Sequence, residues 1–335
     1  MGLQIGDIVP RKEISFENMK GKVIAVDAFN AIYQFFSSIR QPDGTPLMDS
    51  KKRITSHLSG LFYRNIALMT EGIKLVYVFD GEHHSLKNRT HEIRQEAKSI
   101  AQEKFRTALE EEDVERMRRY SVGFSKLDDE KIKESKELLS AMGIAVLQAP
   151  GEGEMQCAEL VRTGEAWAVA SQDYDALAVG GKRLIQNLTL SRRRKTPSGF
   201  VYIAPEIIEY EKVLNELGID GDQLICLAIL VGTDFNPGGV KGIGPKKALA
   251  IVRQKKYPVA IFKEVEERLD FNWQDVFEIF KKPNVNKEQV IFPKINENKI
   301  KDILVNEHDF SLERIEKQFE KMKEVKKEGS QQKLF

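Results

Sequence analysis

Acidic residues recur in this chain where solubility alone does not call for them. "PGEGEMQCAEL", residues 150 to 160, places Glu152 and Glu154 two positions apart at what reads as a helix start, and "SQDYDALA" repeats that spacing with Asp173 and Asp175. "KVIAVD" runs into Asp27, "KLVYVFD" into Asp80, and "VGTDF" holds Asp234. Seven carboxylates gathered at one sheet edge cannot all stay ionised in a partly buried cleft, because each pushes its neighbours' pKa upward. Divalent cations resolve that conflict. Oxygen donors without nearby His or Cys select a hard ion, Mg2+ or Mn2+ rather than Zn2+, and so many acids suggest two ions. Two such ions about 4 Å apart can activate a water and stabilise the leaving oxygen of a phosphodiester. The competing reading is that each acid caps a helix and meets its dipole. Four strand ends finishing in an acid, two of them doubled, exceed what capping requires.

The elements that must position these acids are legible in the same stretches. "KVIAVD", "KLVYVFD", "IAVLQAPGE" and "WAVASQD" are nearly continuous apolar runs, as expected of parallel strands covered on both faces. Helical patterns separate them, among them "DEKIKESKELLSAMG", stopped by Gly143. The alternation predicts an α/β fold with a mixed, mainly parallel sheet flanked by helices, whose ligands bind beyond the carboxyl ends of the strands. Those ends are where the acids fall. The run "SRRRK" at 191–195, beside Pro197 and Gly199, reads as a loop.

Cationic partners follow. Residues 84–120 are rich in helix formers and charged all round, and Lys87, Arg94 and Lys98 share one face at spacings of seven and four. Close after Asp80, that face can overhang the acids and grip phosphate oxygens; the alternative is a solvated helix face. In "GVKGIGPKKA", Gly242 and Gly244 permit close backbone approach, Pro245 suits a first helical position, and Lys241, Lys246 and Lys247 surround the free amides of the helix start. That is a grip on phosphate backbone without base reading.

Composition sets the outer limits. The 335 residues are 41% hydrophobic, with 52 Lys and Arg against 51 Asp and Glu, so affinity for a polyanion must come from local patches. Cys157 and Cys226 form no CxxC pair, and no apolar run approaches a membrane span, so a cytoplasmic protein in a reducing compartment is expected, with no membrane partner.

Together these stretches resemble the flap endonuclease family of structure-specific 5′ nucleases, archaeal and eukaryotic type. The resemblance is carried by "VIAVDAFNAIYQF", "YVFDGEHHSLKNRTHEIR", "APGEGEMQCAEL", "ASQDYDAL" and "LVGTDFNPGGVKGIGPKKALAIV". It implies Asp27, Asp80, Glu152, Glu154, Asp173, Asp175 and Asp234 as metal ligands, and Lys87 and Arg94 as catalytic cations on the scissile phosphate. It further implies Tyr33 as a base-stacking ring, Arg64 as a backbone contact, and Gly2 as a processed N-terminus near the metals. The implied fold has a helical arch over the site and a helix-hairpin-helix DNA-binding module. The implied organisation is one nuclease domain over 1–324, followed by a flexible tail at 325–335. Within the domain, 1–105 holds the wedge (36–60) and the start of the arch, 106–128 the rest of the arch, 129–252 the helix hairpin, and 253–324 C-terminal helices. The implied partner is branched DNA with a 5′ flap, met by a monomer. "SQQKLF" supplies Gln331, Leu334 and Phe335 toward a sliding-clamp peptide but lacks its aromatic pair. Two other classes stay open on the residues alone: a non-catalytic DNA scaffold, and a phosphohydrolase using Asp27 as nucleophile, which would want an acid where Phe29 stands.

Overall fold

The computed structural model describes residues 3–331 apart from 42–43, 83, 112, 114–115, 117–119, 121–126, 190–192 and 197–198. Side chains at 89, 91, 93, 94, 98, 109–110, 193–196, 200 and 324–331 are also outside the description. A seven-stranded sheet runs through the molecule. Its strands are β1 (Lys12–Glu13), β2 (Val23–Asp27), β3 (Lys74–Phe79), β4 (Ala145–Gln148), β5 (Ala168–Ala170), β6 (Arg183–Gln186) and β9 (Glu206–Glu209), in the order β1-β9-β6-β5-β2-β3-β4. Strands β6, β5, β2, β3 and β4 are all parallel, β4 forming one edge, and β9 and β1 close the other edge antiparallel. The mixed, mainly parallel sheet expected from the apolar runs is therefore the fold.

Strand periodicity splits the core in two. Along β3, Val76 and Val78 face one cluster while Leu75, Tyr77 and Phe79 face the other. Helices cover both faces, which is why these strands read as unbroken hydrophobic runs. The first face carries α5 (Gly153–Thr163), α8 (Gly221–Val231) and α9 (Pro245–Lys255). The second carries α1 (Ala28–Ser38), α2 (Ser56–Thr70), α4 (Asp129–Ala141) and α13 (Leu312–Gln331). The long polar helix α3 (Asn88–Glu110) follows a 3-10 turn at Ser85–Lys87. The remaining helices are α6 (Asp175–Ala178), α7 (Tyr210–Leu217), α10 (Pro258–Lys263), α11 (Trp273–Lys281) and α12 (Glu297–Lys301), the last running into a π-helical turn at Asp302–Glu307.

Helix ends obey the expected chemistry. Gly143 takes φ +80° just beyond α4, and Gly244 caps α9 with Pro245 at its first position. Two segments differ from the sequence expectation. Arg193–Thr196 form strand β7, paired antiparallel with β8 (Gly199–Tyr202), where a loop was read. Residues 191–192 of that run lie outside the described residues; the rest is a polar strand whose charged residues give no apolar alternation to mark it. At the other end, α13 continues to Gln331, past the 325 boundary set for a flexible tail, anchored by Ile315, Phe319 and Met322 in the second cluster and prolonged by a Glu- and Lys-rich, helix-forming sequence. Both cysteines are buried free thiols, and no helix among the described residues is long and apolar enough to cross a membrane.

Candidate metal centre

The chain leaves β2, β3, β4 and β5 at the same sheet edge, and each exit delivers an acid. Sequential strands run β2, β3, β4 outward and then return across β2 to β5, so the crevice at that reversal lies between Asp27 and the loop carrying Asp173. Asn30, one turn into α1, holds this crevice together. Its Nδ2 donates to Asp173 Oδ2 at 3.2 Å, and its Oδ1 accepts from the Gln172 amide at 3.3 Å. On the other side, Asp80 Oδ1 accepts from the Gly153 amide at 2.8 Å, joining the end of β3 to the start of α5. A Cβ at position 153 would sit 2.6 Å from that oxygen, so only glycine lets the two come so close. Glu154 Oε1 in turn accepts from the Ala176 amide at 3.2 Å and bridges α5 to α6.

Asp234 arrives from a different element. It lies in the tight loop after α8, which is fixed by a buried pair: Thr233 Oγ1 donates to Asn236 Oδ1 at 2.7 Å, and Asn236 Nδ2 donates to Ile229 O at 2.8 Å. Thr90, in the first turn of α3, donates to the Asp234 carbonyl at 2.5 Å and so ties the base of the long helix to this loop.

The electrostatics separate capping from another role. Asp27 does cap α1, accepting from the Asn30 amide at 3.0 Å. Glu152 occupies the N-cap position of α5 yet makes no side-chain cap, and its Oε1 is buried without a hydrogen-bond partner, as is Asp175 Oδ1. Burial, then the charges of Asp173 and Asp234, pushes the Asp175 carboxyl up to about 7. Burial and the charge of Asp80 raise Asp27 well above the usual carboxylate range; burial with Asp175, Asp173 and Asp27 does the same to Glu154. Asp27, Asp80, Glu154, Asp173, Asp175 and Asp234 thus belong to one mutually repelling set, and Glu152 joins it through Lys87.

Lys87 lies among them. Its ammonium pairs with Glu152 Oε2 and lies 3.7 Å from Asp234 Oδ2 and 5.1 Å from the Phe235 ring centroid. Burial pulls its pKa down, but Glu152, Asp234 and Asp80 more than offset this and leave it raised. Lys87 is therefore no part of a solvated helix face. Among the described residues, one ammonium against seven carboxylates, with two buried oxygens still unpaired, fits a site that accepts further positive charge. An all-oxygen donor set of this kind suits Mg2+ or Mn2+.

The other expected residues spread outward. Tyr33, 40% exposed, lies one turn beyond Asn30 on α1 with its ring 6.4 Å from that of Phe36, and Arg64 is half-buried on α2. Lys241, Gly242, Gly244, Lys246 and Lys247 are exposed around the start of α9, with Ile243 buried as the turn's anchor. Arg94 and Lys98 lie on α3, but their side chains are outside the described residues, as are Gly2, Leu334, Phe335 and the Gln331 side chain. Asn30, Thr90, Gly153 and the Thr233–Asn236 pair went unread in the sequence. Only Asn30 had a signal there, its three-residue offset from Asp27, which is capping spacing.

A parallel sheet with this acidic edge is shared with known proteins. Two family models match, the XPG N-terminal domain over residues 4–101 and the XPG I-region over residues 143–234. Fold and site together define a nuclease of the XPG class. The chain is 51% identical to flap endonuclease 1 of Pyrococcus furiosus over 337 aligned residues, covering 100% of this chain and 98% of that one. It matches the structure of flap endonuclease-1 from Methanococcus jannaschii with TM-score 0.77 at 39% identity, covering 97% of this chain and 98% of the other. The catalytic core of Rad2, solved in complex with DNA substrate, shares the fold at TM-score 0.69 and 23% identity. The chain belongs to the flap endonuclease family. It is a structure-specific 5′ nuclease, hydrolysing phosphodiester bonds of branched DNA in replication and repair.

Proposed function

We propose that Asp27, Asp80, Glu152, Glu154, Asp173, Asp175 and Asp234 hold two Mg2+ ions, for which Mn2+ can substitute. The observation that carries this is the pair of buried, unpartnered oxygens on Glu152 and Asp175, set among carboxyls whose pKa values burial and mutual repulsion have raised. When bound, such ions supply Lewis-acid stabilisation to the attacking and leaving oxygens of a phosphodiester.

The protein's own groups do the rest. Lys87, already inside the acidic set, exchanges its pairing with Glu152 for a non-bridging oxygen of the scissile phosphate, where charge builds as the bond breaks. Arg94, two turns further along α3, adds a second cation, and Lys98 extends the same helix toward the backbone. The Tyr33 ring receives the base beside the cut; stacking of this kind is worth about 1–3 kcal/mol per base. Arg64 contacts backbone, and the turn from Lys241 through Gly242 and Gly244 to Lys246 and Lys247 holds the downstream duplex by its phosphates. Residues 36–60 act as the wedge that bends the junction open, exploiting DNA deformability. A free 5′ strand passes beneath the arch built on α3. The protein acts as a cytoplasmic monomer on 5′-flap DNA, and Gln331, Leu334 and Phe335 make a reduced clamp contact.

A cleavage-site map on 5′-flap, nicked and blunt duplexes tests this reading. The expected result is cutting near the junction of the flap strand in Mg2+ and none in Ca2+. Flap DNA bound but left intact in Mg2+ would mean a DNA-binding scaffold instead.

A further inference from the structure

On the second face of the sheet, away from the acidic edge, three segments distant in sequence meet around two histidines. His308, 3% exposed just after the π-helical turn, places Nδ1 3.0 Å from Asp49 Oδ2 and Nε2 3.0 Å from Glu134 Oε1. His57, in the first turn of α2, is fully buried, with Nε2 4.0 Å from Glu134 Oε2. The donor atoms of Glu134, Glu307 and His308 all lie within 4.8 Å of one another.

Two features of the cluster call for a cation. Asp49 is pinned by Arg53 Nε at 2.7 Å and by the amides of Lys51 and Arg53 at 3.0 and 2.8 Å, so it is an ionised acceptor and takes the Nδ1 proton of His308. The His308 Nε2 lone pair then faces the Glu134 carboxylate, acceptor against acceptor, and something positive must lie between them. A proton would satisfy that contact alone. It would leave His57 as it stands, buried with neither ring nitrogen bonded. Burial, followed by the charge of Lys131, pushes the His57 pKa down to about 3, so its ring is a neutral lone-pair donor. The carboxylate–histidine arrangement of Asp49 and His308 is also the outer-shell device that orients imidazole toward a metal.

We propose that His57 Nε2, His308 Nε2, Glu134 and Glu307 form a structural Zn2+ site, separate from the carboxylate cluster. Mixed imidazole and carboxylate donors favour Zn2+ over Mg2+. Tetrahedral ligation at about 2.0–2.2 Å needs donors roughly 3.3 Å apart. His308 and Glu134 stand 3.0 Å apart and the exposed Glu307 lies within 4.8 Å of both, while His57, whose Nε2 is 4.0 Å from Glu134, must turn toward them to complete the set. The ion would staple the start of α2, and through Asp49 the loop before it, to α4 and to the C-terminal segment.

The test uses the full chain, stripped with EDTA and held in excess Mg2+ to occupy the oxygen sites. Zn2+ is then added, and binding is followed by competition titration and by X-ray absorption at the zinc edge. The expected result is one equivalent of Zn2+ with two imidazoles in its shell and a raised melting temperature. Asp49→Asn should weaken affinity 10–100-fold, and Glu134→Gln with His308→Gln at least 100-fold. If that double variant melts early without metal, Asp49→Asn and the wild-type absorption spectrum still decide. An oxygen-only shell, no bound equivalent, or unchanged affinity in Glu134→Gln would overturn the site and leave His308 as a protonated clamp between Asp49 and Glu134.

Discussion

Asp175 is costly to the fold, and as a proposed metal ligand it is the side chain whose loss the reaction should feel most. Its buried Oδ1 has no partner, and its pKa sits near 7 instead of the ordinary 3.8. Asp175→Asn removes charge but keeps shape. It should bind 5′-flap DNA within a few-fold of wild type while cleavage in Mg2+ falls by at least about a thousandfold, read by single-turnover kinetics beside a binding titration. The raised carboxyls also set a pH dependence. A carboxyl with its folded pKa above its unfolded value holds its proton more tightly when folded, so its stabilisation is complete below about pH 4 and lost as pH rises through about 7. In EDTA the melting temperature should therefore fall between pH 5 and pH 8, and saturating Mg2+ should abolish the fall. Equal slopes with and without Mg2+ would detach these acids from the metal. The acidic cluster was legible at this scale because its members end apolar runs or, as Glu154 and Asp175, repeat an acid two residues later. The burial of Lys87 was not, since its sequence neighbours are as polar as those of any solvated helix.

Elements deliver these residues, and their tolerances are backbone tolerances. Gly239 has φ +56°, and a Cβ there would lie 2.4 Å from the Val231 carbonyl carbon, within the loop that presents Asp234. Gly239→Ala should cost at least about 2 kcal/mol in urea unfolding, from strain and steric clash together. Gly153→Ala is different, because its φ is ordinary and its clash is with the Asp80 carboxylate and the Val78 carbonyl. It should lower cleavage more than it lowers the urea midpoint, by shifting Asp80; the reverse ranking would show that Gly153 serves packing alone. Parallel strands and their crossovers were readable from hydrophobic runs. The antiparallel strands β1 and β9 and the β7–β8 ribbon were not, because two to four residues of mixed polarity carry no period. The Thr90 contact and the His57–His308 cluster were equally hidden, being made between segments far apart in the chain.

At the scale of the whole molecule, balanced charge leaves DNA affinity to patches, and the start of α9 is the clearest, with three exposed lysines around a glycine turn. Lys246→Ala and Lys247→Ala should each reduce the slope of log affinity against log salt by about one, with no change of cut position. A shifted cut site would mean that these lysines set register as well as affinity. Everything in the account turns on the carboxylate cluster accepting divalent metal. Anomalous diffraction from crystals equilibrated with Mn2+ tests this most directly. Two peaks among Asp27, Asp80, Glu152, Glu154, Asp173, Asp175 and Asp234 are predicted; manganese bound elsewhere with no peak inside that set would contradict it.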